Sequence, residues 1–154
     1  MSVKVTGAAD ARLMFKKIEE FLASPKPMQG VVEDIKESIL TKTAASHDYR
    51  GRNFKPYSKA YAKKKGTTRP DLRVSGRMLG ALKARVIDPR HGQVFVASEQ
   101  ESGRASTAML AQIHTTGTGK QPQREFLNIT PNALQVIKKK RYDDPLLELV
   151  RQAR

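Results

Sequence analysis

Two amphipathic segments separated by a proline-rich turn constrain the N-terminal part of this chain. The first predicts a helix from Asp10 to Ala23, and the second a helix from about Pro27 to Ala45. Their apolar faces carry Met14, Ile18, Phe21 and Leu22 in the first helix, and Met28, Val32, Ile35 and Ile39 in the second. Proline lacks an amide donor and pushes the preceding residue out of the α region, so residues 24–27 end the first helix. The pattern predicts an N-terminal helical hairpin.

The middle of the chain carries a β-hairpin signal. Ala84–Ile87 and Gln93–Ala97 are rich in branched and aromatic residues and flank a Pro/Gly turn at residues 88–92. A further strand is predicted at Phe126–Ile129, with Phe126 as its apolar anchor. These segments predict a small antiparallel sheet.

Capping signals predict several shorter helices. One runs from Ser58 to Lys65 and ends at Gly66, and another is capped by Ser75 and continues through Lys83. Ser106–Ile113 is predicted to be helical with Met109, Leu110 and Ile113 on one face, before a glycine-rich loop at 115–123. Two Pro-containing helix starts follow, at Thr130-Pro131 and Asp144-Pro145. Helices, then a sheet, then helices predict an α+β fold, and a length of 154 residues predicts a single domain over 1–154.

The composition bears on covalent cross-links, metal ligands and membrane contact. The chain has no cysteine, so it has neither disulfides nor thiolate metal ligands, and we expect assembly in a reducing cytoplasm. It contains neither a signal-peptide pattern nor an apolar run long enough to cross a bilayer, so we expect no membrane contact.

The positive charge is concentrated in one segment. Residues 47–91 hold thirteen Lys and Arg against three Asp and Glu, which accounts for most of the net charge of +14. Such a segment suits nucleic acid, an acidic protein or an acidic membrane, and it is also typical of a face that is merely solvated. Another basic run, 138–141, complements the negative end of the dipole of its predicted helix.

No enzymatic motif is complete. Residues 117–120 (GTGK) resemble part of a phosphate-binding loop, but His114 and Gln121 stand where that motif needs a glycine and a hydroxyl. His47, His91 and His114 have no neighbours at metal-ligand spacing. We expect a protein without catalytic residues, cofactor or metal.

Non-specific DNA binding through the basic 50–90 segment is the alternative function. Tyr57 and Tyr61 alternate with Lys55, Lys59 and Lys63, and such residues stack on unpaired bases and contact phosphates. The two tyrosines share one helical face, however, which is more typical of side chains that anchor a helix to a core.

Three short sequence blocks, each present once, follow one another in a characteristic order. They are residues 54–66 (FKPYSKAYAKKKG), residues 72–79 (LRVSGRML) and residues 113–127 (IHTTGTGKQPQREFL). Their order and spacing resemble the virion-morphogenesis, or tail-completion, family of tailed phages, which includes the Mu-like G and P2-like S proteins. The resemblance spans roughly residues 10–140.

The resemblance implies a structural subunit of the virion at the head–tail junction, and not an enzyme. It implies a homo-oligomeric ring, six-fold to fit the tail tube, with one face on the tail tube and the other on the head connector. Phage DNA passes through the lumen of such a ring. Ring contacts are head-to-tail, so the basic segment and the acidic residues at 99–101 or 143–144 are candidates for opposing patches.

The resemblance also assigns roles to individual residues. We expect Tyr57 and Phe126 to be packing anchors, Ser75 with Gly76 to start a helix, and Arg124 to form an ion pair or an interface contact. The basic segment, in which this chain departs from the family pattern, adds three lysines, so the residues expected at assembly interfaces are Tyr57, Lys63, Lys64, Lys65, His114, Gly117 and Arg124.

Overall fold

The computed structural model describes residues 7–73, 75–100, 102–118 and 121–152. Glu101, Gly119 and Lys120, part of the acidic stretch and of the GTGK segment, lie outside these ranges. The architecture is α+β, as predicted. In chain order the elements are α1 (Ala8–Ala23), α2 (Lys26–Ala44), α3 (Lys59–Lys65), α4 (Arg77–Gly80), β1 (Leu82–Asp88), β2 (His91–Val96), α5 (Thr107–Thr116), α6 (Pro131–Lys138), a π-helical segment (Lys139–Asp143) and α7 (Asp144–Arg151).

The sheet is the predicted hairpin, with α2 packed across both strands. Leu82 pairs with Val96, and the register shifts between Val86 and Asp88, next to the turn. At Gly92 the hairpin comes so close to α2 that a Cβ atom would overlap a methyl group of Val32. Glycine at this position therefore allows the backbone of the hairpin to lie directly against side chains of α2.

The hydrophobic core lies where α2, the hairpin and the following segments meet. It contains residues from all three sequence blocks, and Phe126, the predicted packing anchor, is 1% exposed within it. The buried cluster comprises Ile39, Phe54, Leu72, Met78, Leu79, Ala81, Leu82, Val96, Ala111 and Phe126.

Three of the predicted helix starts are confirmed by their hydrogen bonds. The hydroxyl of Ser58 accepts from the Tyr61 amide at 3.3 Å, that of Ser106 from Met109 at 3.2 Å, and that of Thr130 from Ala133 at 3.2 Å. These are local signals, because a cap needs only the amides of its own first turn.

The predicted cap at Ser75 is wrong. The helix begins one residue later than a Ser75 cap requires, with Gly76 as the flanking residue at a φ of 78° and with no side-chain cap bond. It ends at Gly80 and does not reach Lys83, because Leu82 already pairs with Val96 in the sheet. Sheet pairing and a glycine in the left-handed region override the local capping signal here.

The predicted strand at 126–129 is also absent from the described sheet, which has two strands. The Phe126 amide donates to the Arg124 carbonyl at 2.8 Å, and the Asn128 amide donates to the Phe126 carbonyl at 3.1 Å. These bonds between residues two apart fold the segment on itself, so those two amides do not pair with a neighbouring strand.

The predicted apolar face of α5 is only partly right, since Leu110 packs against the core but the fully buried residues are others. Thr107 and Ala111 are its buried residues, whereas Met109 is 55% exposed. The Thr107 hydroxyl bonds to the Ala97 carbonyl, which fastens this face to the end of β2. The helix also extends to Thr116, into the predicted loop, because the left-handed C-cap lies at Gly117.

The C-terminal helices are continuous, without the break predicted at Asp144-Pro145. Pro145 has no amide hydrogen and therefore leaves the carbonyl of Arg141, four residues earlier, without its α-helical bond. The π-helical segment, which ends at Asp143, lies directly before α7. The basic run 138–141 is therefore not at a helix end. Instead, Arg141 forms a two-pronged pair with Asp34 of α2, at 2.6 and 2.8 Å, and passes over Gly30, where a Cβ would approach its side chain at 2.9 Å.

Helix α1 lies mainly against α7, and none of its described side chains is buried. The ring of Phe21 meets the edge of Tyr142 at a centroid distance of 6.2 Å, whereas Leu13 and Phe15 are 54% and 64% exposed. Across the described ranges, no helix combines the length and the apolar character needed to cross a bilayer.

Candidate functional site

The three sequence blocks meet at one cleft of about 510 Å³. Tyr57 and Tyr61 come from the first block, Leu72 from the second, and His114 and Arg124 from the third. Its other lining residues are Pro56, Ser58, Gln121 and Pro122. Segments far apart in the sequence thus build one concave surface with aromatic walls, which we name the Arg124 cleft.

Arg124 is the buried cation of this cleft, with only 2% of its surface exposed. Its Nε and one terminal nitrogen donate to the Lys55 carbonyl at 3.2 and 2.9 Å, and its guanidinium lies 5.3 Å from the centre of the Tyr57 ring. Burial lowers the pKa of the Arg124 guanidinium, but arginine stays charged at neutral pH. Within the described ranges no carboxylate pairs with it, so the ion pair that Arg124 was expected to make is not formed within the described part of this chain.

The tyrosine wall is held by an ion pair. Lys65 bonds to Asp71 and, at 2.9 Å, to the Tyr57 hydroxyl, while Tyr57 and Tyr61 pack edge to face at 4.8 Å. Burial by itself raises the pKa of the Asp71 carboxyl, but its bonds from Lys65 and from the Arg73 amide outweigh this and lower it. These contacts therefore hold the Tyr57 ring in place, and the charge of Lys65 is already balanced by Asp71.

His114 and Gly117 hold the third block in position. The Arg124 amide donates to the His114 carbonyl at 2.7 Å, and the His114 Nδ1 is buried without a hydrogen-bond partner among the described residues. Burial, and then the charge of Arg124, lower the pKa of the His114 ring. Gly117 ends α5 at a φ of 73°, and a Cβ there would lie 2.8 Å from the Gln123 amide nitrogen. His114 thus lines the cleft, and Gly117 ends the helix that carries His114.

The lowered pKa of His114 predicts a pH-dependent stability. The unfolded chain takes up this proton near its ordinary pKa of about 6.5, whereas the folded chain resists it. The contribution is therefore complete above about pH 6.5 and is lost as the pH falls. We expect His114→Gln to flatten the decline in the free energy of unfolding between about pH 7 and pH 5, as measured by urea denaturation.

The matched control for this prediction is His91→Gln, because His91 is exposed at the start of β2. This variant should keep the part of the pH dependence that His114 causes. If the free energy of unfolding of His114→Gln declines with falling pH as steeply as that of the wild type, the buried ring is not the titrating group.

The three consecutive lysines at the end of α3 are not equivalent. Lys63 and Lys64 are exposed, and the structure records no ion pair for them in the ranges that it describes, whereas Lys65 belongs to the tyrosine wall. Lys59, Lys63 and Arg69 line a shallow open surface next to the Gly66 turn. We name this surface, together with the adjacent exposed Lys64, the α3 basic face.

The predicted acidic patches are only partly available. Asp143 and Asp144 pair with Lys138 and Lys139 at 2.9 and 2.5 Å, so their charges are balanced within their own helix. Among the predicted site residues, Tyr57, His114 and Arg124 line the cleft, and Lys65 contacts it through the Tyr57 hydroxyl. Gly117 lies behind it against Gln123, and Ser75 is an exposed residue ahead of α4. Sequence reasoning missed Asp71, whose position within a loop gave no signal of a partner.

No group of three or more potential metal ligands occurs in the part of the chain that the structure describes. Comparisons with protein-family models, with curated proteins and with solved structures each gave no match. The features that bear on function are therefore the three blocks and the surfaces that they build.

Proposed function

We propose that this protein is a structural subunit of the head–tail junction of a tailed phage, of the tail-completion type, and that it works in a ring. The observation that carries the proposal is the meeting of the three family-like blocks in one cleft. Tyr57, Leu72, His114 and Arg124 are up to 67 positions apart in sequence, yet they line the same surface. Because the three blocks build one surface together, their order and spacing have a physical reason.

Exposed apolar side chains support a subunit that is completed by its neighbours. Phe15 is 64% exposed, Ile87 63% and Val136 62%, and they lie on three different elements. Large apolar side chains on the surface often mark contact sites, and a ring needs two different complementary patches on each subunit. In the proposed ring, one face docks the tail tube, the other meets the head connector, and DNA passes through the lumen.

The proposed ring has a direct test. Native mass spectrometry and negative-stain imaging of the protein with tails should detect a closed ring, and mass spectrometry of purified virions should find the protein. A protein that stays monomeric with tails and never co-purifies with particles would overturn the proposal.

The α3 basic face is proposed to serve docking or the electrostatics of the lumen. Replacing Lys63 and Lys64 by glutamate should reduce the yield of infectious particles in a complementation assay, because it reverses an exposed positive face. The melting temperature should stay nearly unchanged, since neither lysine is paired in the described structure. Lys65 is left intact, because its bonds to Asp71 and Tyr57 stabilise the fold.

The matched control replaces the same two lysines by arginine, which keeps the charge, and it should give the wild-type yield. Full yield from the glutamate variant would instead assign Lys63 and Lys64 to a solvated surface without a role in assembly.

Non-specific DNA binding is the second candidate, and the grouping of Lys59, Lys63 and Arg69 on one open surface favours it. The isolated protein would then bind unrelated duplexes with similar affinity, and this affinity would fall steeply with salt. Tight binding at physiological salt by the free protein, together with its absence from virions, would favour this function over the ring.

A further inference from the structure

We infer that the Arg124 cleft is a receptor for a carboxylate, an Asp or Glu side chain presented by an extended segment of a partner protein. The charge, the enclosure and the wall chemistry of the cleft each support this assignment. None of the three depends on the proposed place of the protein in a virion.

The charge argument begins with the burial of Arg124. A cation that is 98% buried is unfavourable unless an anion or a full set of hydrogen bonds compensates it. The Lys55 carbonyl accepts two of the five N–H groups of the guanidinium, and no carboxylate among the described residues adds to it. The remaining N–H groups suit the two oxygens of a carboxylate, which binds arginine in a two-pronged geometry.

The other charged groups at the cleft do not remove the preference of Arg124 for an anion. Lys65 is matched by Asp71, so this pair adds no net charge. His114 has a pKa lowered by burial and by Arg124, and its ring is therefore neutral at physiological pH. Arg124 thus supplies the net positive charge of the described lining.

The walls suit a protein chain better than a nucleic acid. Tyr57 and Tyr61 stand on one side, and Pro56 and Pro122 add two further rings to the lining. Tyrosine and arginine are enriched where protein partners insert side chains into pockets. The phosphates of a duplex lie on a broad convex surface, whereas Arg124 lies at a cleft of about 510 Å³, a volume that suits a few residues of an extended peptide.

A pair of peptides tests the assignment. Acetyl-Pro-Glu-Pro-amide carries the carboxylate on a preorganised extended chain, and acetyl-Pro-Gln-Pro-amide is its neutral match. We expect saturable shifts of the His114 ring and Arg124 Nε–H signals in NMR titrations with the glutamate peptide, and binding at least about tenfold weaker for the glutamine peptide. Equal shifts with both peptides, or no shift with either, would overturn the proposal.

Inorganic phosphate and a short DNA duplex, titrated at the same ionic strength, separate other anions from a peptide carboxylate. Both should leave these two signals unchanged or shift them less than the glutamate peptide does. A tighter response to phosphate or to DNA would overturn the assignment to a carboxylate.

Two variants locate the binding. Arg124→Gln should weaken binding of the glutamate peptide by about tenfold or more, through the lost ion pair. Because Arg124 also holds the Lys55 carbonyl, a second variant leaves it in place: Gln121→Glu puts a negative charge on an exposed lining residue. This variant should also weaken binding, whereas Gln121→Ala should bind like the wild type. Unchanged affinity in Gln121→Glu would move the peptide away from this cleft and overturn the proposal.

Discussion

Phe126→Ala should lower the free energy of unfolding by about 3–5 kcal/mol, because it removes a fully enclosed ring and leaves a cavity behind. Phe126 is 1% exposed and belongs to the buried cluster that joins α2, the hairpin and α5. Its segment makes local turns at this point, and Phe126, together with the partly buried Leu127, packs this segment against the core. Urea denaturation followed by far-ultraviolet circular dichroism measures the loss.

Phe15→Ala is the matched control, since it removes the same side chain from a position that is 64% exposed. We expect a change within about 0.5 kcal/mol, as is usual for surface substitutions. If the two variants lose equal stability, the assignment of Phe126 to the core is wrong.

The second large effect is expected at Gly92. Gly92→Ala introduces a methyl group that overlaps Val32 and lies 3.1 Å from the Met28 sulfur, so α2 and the hairpin must separate. Overpacking of this kind costs about 1–3 kcal/mol. Thermal and urea unfolding would both register the loss as a lower midpoint.

A double-mutant cycle with Val32→Ala makes this prediction specific. Truncating Val32 gives the new methyl group space, so the double variant should lose less stability than the sum of the two single variants. Gly80→Ala serves as the control, because a Cβ at this helical glycine meets no atom within 4 Å, and it should be neutral or slightly stabilising. Additive losses in the cycle would mean that the steric clash with Val32 is not the cause.

Those parts of the fold that depend on neighbouring residues could be predicted from the sequence. Ser58, Ser106 and Thr130 cap helices through the amides of their own first turns, and a Pro/Gly turn between two β-type runs made the hairpin. Each of these signals is complete within a few residues, so tertiary structure had little to alter.

Features that depend on distant partners could not be predicted. The run 138–141 has the composition of a helix end, but Arg141 is paired with Asp34, more than a hundred residues away. Ser75 has the composition of a cap, but pairing between Leu82 and Val96 shortens the helix that it was predicted to start. In both cases a long-range contact outweighs a local preference that is weak in energy.

The candidate site shows the same division. The blocks pointed to Tyr57, His114 and Arg124, and these residues do line one cleft. The burial of Arg124 and its bond to the Lys55 carbonyl could not be predicted, because a backbone carbonyl leaves no trace in the residue types. The pairing of Lys65 with Asp71 likewise distinguishes it from Lys63 and Lys64, although the three lysines are consecutive in the sequence.

The π-helical segment has a consequence for the orientation of the two helices that it joins. The Asp144 amide bonds to the Lys139 carbonyl, five residues earlier, so this turn holds one residue more than an α-helical turn. One extra residue shifts the angular phase of everything after it by about 100°. As a result α6 faces α2 while α7 faces α1, although both belong to one uninterrupted helix. Deleting Asp143, which follows Arg141 and Tyr142, would rotate α7 and turn its apolar side away from α1.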